Sequence, residues 1–155
     1  MSKPATINPR IIEGLYTDAL VLSDEVRAAF DMSGRIDNLG RAEDETRVAM
    51  SCEALRTTTR MMHALAWLLN HRAYFAGDLS EFQLRRHGRL VQSPYAEPER
   101  LALLTPEVRE LIAATERFHA RLLRLDSTWR DGQIAPPGAL ERLRDRLSAA
   151  TSAQG

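Results

Sequence analysis

Residues 55–70, LRTTTRMMHALAWLLN, decide the fold of this chain. Three consecutive threonines stand inside a stretch with helical spacing, although Thr is β-branched and a mediocre helix former. Thr58 and Thr59 belong to two neighbouring rows of apolar residues. Small side chains there let another helix approach closely, and their hydroxyls can bond to carbonyls one turn earlier. We therefore interpret the threonines as the site of a close helix crossing.

The helix around these threonines is predicted to run from about residue 43 to about residue 76, just before Gly77. At 1.5 Å per residue it is roughly 45–50 Å long. One apolar row comprises Val48, Cys52, Leu55, Thr59, Met62, Ala66, Leu69 and Ala73, and a second comprises Ser51, Ala54, Thr58, Met61, Leu65 and Leu68. Together the rows are wider than one partner helix requires. We assign dimer or core packing to Thr58, Thr59, Met62, Leu65, Ala66 and Leu69.

A third row on the same helix is polar and aromatic. Arg, Trp and Tyr are common anchors of protein interfaces, so this row is a candidate docking face. Its members are Arg56, Arg60, His63, Trp67 and Tyr74. The alternative is that the row lies beneath the connector at 77–104 or at a dimer seam.

Two further long helices are predicted on either side. Asn8 and Pro9 are typical of a helix start, and they open a helix at about 9–33. Thr105 and Pro106 open another at about 105–131. We expect an all-α fold, a three-helix bundle (8–131) with a long central helix, dimerising through helix faces.

The connector at 77–104 and the tail at 132–155 complete the chain. A short helix is expected over Ser80–Leu90, capped by Ser80, whereas QSPYAEPE at 92–99 has too many prolines to be helical. The tail is expected to be flexible, with a short amphipathic helix through Leu140, Leu143 and Leu147. It is a second candidate docking element.

Composition bounds the possible partners. The chain has 155 residues, the size of one domain, and 21 basic and 21 acidic residues give a net charge of +0. No overall field favours nucleic acid or an anionic membrane. Cys52 is the single cysteine, which fits a reducing compartment, and we expect it to be a small core residue. The N-terminus lacks the apolar stretch of a signal peptide, so we expect a cytoplasmic protein.

Motifs that carry chemistry are not apparent. The four histidines lack the spacing of a zinc motif, and there is no phosphate-binding glycine loop or nucleophile elbow. We therefore predict no catalytic, metal-binding or cofactor-binding residues, and no enzyme. The basic cluster RRHGR at 85–89 is interpreted as a solvated turn, because the net charge is zero. The alternative is a generic dimeric helical scaffold or transcription-associated factor that touches nucleic acid through Arg85, Arg86 and Arg89.

The central helix resembles a known family, the regulator of CtrA degradation (RcdA) of alphaproteobacteria. The resemblance rests on EALRTTTRMMHALAWLLNHRA at 53–73, which is similar to the pattern E-x-[LM]-R-x-T-T-R-x-M-x-x-x-x-W-L-L-x-x-R-A. Weaker similarity covers the first helix with the DMSGR turn at 31–35, and the ARLLRLD segment at 120–126.

This resemblance implies a function and a set of partners. Members of that family are homodimers of three-helix subunits and serve as adaptors for the ClpXP protease. A CpdR-like response regulator primes the protease, and the adaptor then delivers cell-cycle clients such as a CtrA-like regulator. In some cases a cyclic-di-GMP-binding effector (PopA) takes part. The resemblance carries over no catalytic residue.

Overall fold

The computed structural model describes residues 7–31, 41–133, 143–144 and 146–148. Within them the helices are α1 (Pro9–Asp31), α2 (Arg41–Phe75), α3 (Glu81–His87), α4 (Pro98–Leu101) and α5 (Pro106–Gln133). No strand occurs in these ranges, so the predicted all-α class with a long central helix is confirmed. Residues 143–144 and 146–148 are helical. The rest of the tail lies outside the described residues.

The helix ends follow the capping residues that the sequence supplies. The side-chain oxygen of Asn8 accepts a hydrogen bond of 3.0 Å from the amide of Ile11 at the start of α1. At the end of α2, Gly77 has a φ of 84°. Its amide donates to the carbonyl of Tyr74, and the amide of Asp78 donates to that of Ala73. This is the Schellman arrangement, and a left-handed residue there favours glycine.

The connector contains two short helices. Ser80 caps α3 and forms a reciprocal capping box with Gln83, within the span where a short helix was expected. The helix α4 begins at Pro98, so the expectation that residues 92–99 contain no helix is wrong at that end. The reason is positional, because proline is compatible with the first turn of a helix, where its missing N–H costs no hydrogen bond.

The main core lies where α1, α2 and α5 meet. Its least exposed side chains, at most 1% exposed, include Ile12 and Ala19 of α1, Leu68 of α2 and Leu122 of α5. Burial of each large aliphatic side chain is worth about 1.5–3 kcal/mol, so this contact holds the three long helices together. None of the helices in the described ranges has both the length and the apolarity required to cross a membrane.

His71 of α2 lies inside this core and is 1% exposed. Its ring is 4.1 Å from that of Trp67 and 5.5 Å from that of Trp129, between centroids. Neither ring nitrogen has a hydrogen-bond partner among the described residues. Burial lowers the pKa of His71 from 6.5 to about 4, although the nearby Asp126 acts in the opposite direction. The neutral imidazole is therefore the form that the core accepts.

We expect this histidine to make the fold sensitive to acid. In the unfolded chain His71 becomes protonated below about pH 6.5, whereas in the folded chain it stays neutral down to about pH 4. The free energy of unfolding should therefore fall by about 3 kcal/mol across this window, because each pKa unit is worth about 1.4 kcal/mol. Urea denaturation between pH 7.5 and pH 4 should show a shallower fall for His71→Phe. The exposed His87→Phe variant should keep the wild-type slope, and equal slopes in all three proteins would contradict the assignment.

Candidate interaction surface

The polar and aromatic row of α2 faces the protein body. Arg60 is 1% exposed and Trp67 is 2% exposed, while Arg56, His63 and Tyr74 are half-buried. Within the row, Arg56, Arg60 and His63 contact the connector, whose residues 88–97 follow an irregular path between α3 and α4. An irregular backbone needs hydrogen-bond partners from elsewhere, and the row supplies them.

Arg60 is the central contact between α2, the connector and α5. One guanidinium nitrogen donates to the hydroxyl of Thr115 at 3.0 Å, and another donates to the carbonyl of Pro94 at 2.8 Å. The second nitrogen is also 3.5 Å from the carboxylate of Glu116. Burial lowers the pKa of Arg60, and the carboxylates of Glu116 and Glu53 offset part of this shift. Each charge-assisted bond is stronger than a neutral one, so this side chain fixes the connector on two helices.

Asp126 of α5 is a second such contact. Its carboxylate accepts 3.0 Å and 3.4 Å hydrogen bonds from the indole N–H of Trp67 and the amide of Leu90. Arg130 donates to both carboxylate oxygens at 3.2 Å and, through another nitrogen, to the carbonyl of Arg85. Trp67 is thus held at its polar edge while its ring fills the core.

The remaining connector bonds follow the same principle. Arg56 donates to the carbonyl of Tyr95 at 3.1 Å and to the carboxylate of Glu97 at 2.8 Å. On the other side, the ring N–H of His119 donates to the carbonyl of Val91 at 3.0 Å, and burial lowers the pKa of this imidazole. Side chains from both helices therefore replace a backbone ladder along the connector.

The predicted docking face requires correction at its centre. Arg60 and Trp67 cannot contact a partner, because they are buried and already bonded within the chain. His63 lies 3.4 Å from the hydroxyl of Ser93, so it too is covered by the connector. Tyr74 is half-buried and its ring packs 5.1 Å from that of Phe75. The alternative interpretation, that this row lies beneath the connector, agrees with the positions of Arg56, Arg60 and His63.

The first apolar row of α2 points outward instead. We call its members the α2 stripe: Val48, Cys52, Leu55, Thr59, Met62, Ala66, Leu69 and Ala73. The large side chains are highly exposed, at 61% for Val48, 70% for Leu55, 63% for Met62 and 47% for Leu69. The small members of the stripe are half-buried or exposed. The stripe contains no charged residue over its whole length.

The residues assigned to dimer or core packing lie on or beside this stripe. Thr58, Met62, Ala66 and Leu69 are exposed, and Thr59 and Leu65 are half-buried. Leu65 packs against the main core, whereas the exposed members are not core residues of the described chain. Cys52, expected in the core, is half-buried on the stripe. A groove of about 320 Å³ between α1 and α2 adjoins the stripe, with Thr58, Met62 and Leu65 in its wall.

Sequence reasoning missed the residues of α5 that hold the connector, either directly (Glu116, His119 and Asp126) or through Arg60 (Thr115). Their signal was available, since all four interrupt the mainly apolar helical face through which α5 packs. Their partners could not be read from the sequence, because most are backbone atoms of an irregular segment.

The arrangement offers few features of a catalytic or metal site. No group of three His, Cys, Asp or Glu side chains suited to a metal ion occurs in the described ranges. In the basic cluster, Arg86 and Arg89 are exposed, but Arg85 is half-buried. Its guanidinium lies 5.6 Å from the Trp129 ring centroid and 3.6 Å from the carboxylate of Glu81. The cluster is thus partly engaged within the fold.

We expect Arg60→Met to release the connector. The change removes the hydrogen bond to the Pro94 carbonyl of the connector and the one to the Thr115 hydroxyl of α5, and it leaves the carboxylate of Glu116 without this cation. The free energy of unfolding should therefore fall by about 3 kcal/mol. Chymotryptic cleavage after Tyr95 should become faster in the folded protein. Arg117→Met is the matched control, because Arg117 is exposed and its ion pair is with the exposed Glu110. That variant should lose less than about 1 kcal/mol. Equal cleavage rates in both variants would refute the role of Arg60.

Comparisons with other proteins place the chain in a family without indicating an activity. Neither the curated proteins nor the solved structures include a significant match. A family model described as "Protein of unknown function (DUF1465)" matches residues 4–151, which is nearly the whole chain. The chain therefore belongs to the DUF1465 family.

Proposed function

We propose that this protein is a non-enzymatic adaptor for regulated ClpXP proteolysis of cell-cycle proteins, and that it acts in the cytoplasm as a homodimer. The similarity of residues 53–73 to the RcdA family supports the adaptor role. The observation that carries the proposal is the exposed α2 stripe, because it indicates a surface made for another protein.

The physical argument for a partner rests on the length and composition of the stripe. From Val48 to Ala73 it extends about 37 Å along the helix. Contiguous exposed apolar surface on a soluble protein is unfavourable in water and marks an interaction site. A second copy presents the same uncharged surface, so pairing the two stripes buries both through one symmetric interface.

The adaptor acts by tethering. A protein that binds protease and client together raises their effective concentration, so it accelerates degradation without chemistry of its own. A dimer presents each docking surface twice. With the α2 stripe covered, the connector still exposes Phe82 at 69%, Val91 at 53% and Tyr95 at 66%. These are the apolar side chains that we assign to contacts with the protease, its CpdR-like primer or a client.

Reconstituted degradation tests the adaptor role. Purified ClpXP with a CpdR-like regulator would receive a CtrA-like client, with and without this protein. We expect degradation to accelerate severalfold only in its presence, because tethering raises the local client concentration. Heat-denatured protein serves as the control. Unchanged degradation, together with failure to bind the primed protease, would overturn the proposal and favour the generic dimeric scaffold.

Charge on the stripe tests the homodimer separately. Leu55→Glu should convert the dimer to a monomer, because pairing would bury two carboxylates without partners. Light scattering after size-exclusion chromatography measures the mass. Phe82→Glu is the matched control, since Phe82 is exposed to the same degree but lies on α3. It should leave the mass unchanged. A wild-type monomer, or a Leu55→Glu dimer, would contradict the role of the stripe.

A further inference from the structure

The α2 stripe alternates large and small side chains with a strict period. Its large members, Val48, Leu55, Met62 and Leu69, recur every seven residues. Its small members, Cys52, Thr59, Ala66 and Ala73, recur with the same period, four residues after each large one. The alternating steps of four and three are those of the core positions of a coiled coil. All the large members are exposed, so the pattern is available to a second helix.

This alternation distinguishes the two possible directions of a partner helix. In a parallel pair, each layer contains identical residues, so large residues meet large ones and small residues meet small ones. Bulky layers would then hold the helices apart and leave voids at the small layers, which is costly. In an antiparallel pair, large residues of one helix meet small residues of the other. Every layer then has a similar volume, which suits close packing.

The positions of these residues also select a register. In an antiparallel pair about a two-fold axis, residue numbers in opposing positions have a constant sum. A sum of 121 places a small residue opposite every large one. The resulting layers are Val48 with the partner's Ala73, Leu55 with the partner's Ala66, Met62 with the partner's Thr59, and Leu69 with the partner's Cys52. A shift of seven residues in either direction leaves one large and one small residue of each helix uncovered.

We propose that two copies of this chain pair their α2 helices antiparallel. The two-fold axis crosses the stripe midway between Thr59 and Met62, so that Thr59 packs on Met62 of the partner. This inference rests on the proposed homodimer and specifies its geometry. The threonine run then has a function at the centre of the helix pair, because the small Thr59 makes room for the large Met62 of the partner where the helices cross.

The native cysteine allows a direct test. In the proposed register, Cys52 lies opposite Leu69 of the partner and about 26 Å along the axis from the partner's Cys52. A disulfide requires Cα atoms closer than about 7 Å. Under mild copper-phenanthroline oxidation, the full-length wild type should therefore not form a cross-linked dimer. Leu69→Cys should form one, seen on a non-reducing gel, because the introduced thiol faces Cys52 of the partner. Within one chain the two thiols are too far apart to react.

Two controls complete the design. Leu55→Cys introduces a thiol at another large position of the same stripe but opposite Ala66, so it should not cross-link. Leu69→Cys combined with Cys52→Ala should lose the cross-link. If Leu69→Cys impairs folding, Leu55→Cys with Ala66→Cys in a Cys52→Ala background repeats the test at another layer.

Each outcome decides a different point. A dimer that cross-links through Leu69→Cys and not in the controls supports the antiparallel register. Cross-linking of the wild type and of Leu55→Cys indicates a parallel pair and overturns it. A dimer without any cross-link also overturns the register, whereas the homodimer itself stands. A wild-type monomer by light scattering overturns the homodimer of the proposed function together with this geometry.

Discussion

The structure depends on the need to satisfy the backbone of the connector. Residues 88–97 are neither helix nor strand, so the buried amides and carbonyls among them need hydrogen-bond partners outside a regular backbone ladder. Arg60 and Asp126 meet this need from opposite sides, one donating to the carbonyl of Pro94 and the other accepting from the amide of Leu90. A charged group at each contact is costly to bury, and several bonds to each offset that cost.

The consequence is a central helix whose polar side is inside. Because the polar row of α2 donates hydrogen bonds to the connector, that face of the helix cannot be the one exposed to solvent. The apolar side chains on the core side of α2, such as Ala64 and Leu68, pack in the main core with α1 and α5. The stripe around Leu55 and Met62 is left uncovered by the rest of the described chain and remains exposed to solvent. An exposed apolar surface thus follows from the way in which the connector is held.

Function and fold are linked through this arrangement. Polar groups of α2 serve internal contacts while the uncharged α2 stripe faces outward, and this arrangement supports the proposed association with other proteins. His71 illustrates the internal side, since a neutral imidazole packs between two indole rings without a hydrogen-bond partner in the described structure. The connector's outer side chains and the α2 stripe are the exposed surfaces to which we assign the proposed contacts with other proteins.

The sequence by itself determined the long helices, their caps at Asn8 and Gly77, and the three rows along α2. These follow from local rules, because spacing and capping depend on residues within a few positions of each other. It could not determine which row faces inward, since periodicity fixes the angles between rows but not the rotation of the helix against its neighbours. The sequence therefore indicated a docking face at Arg60 and Trp67, whereas in the structure these side chains bond to Thr115, Pro94 and Asp126. Only the tertiary structure decided this, because those partners are distant in the chain and one of them is a backbone carbonyl.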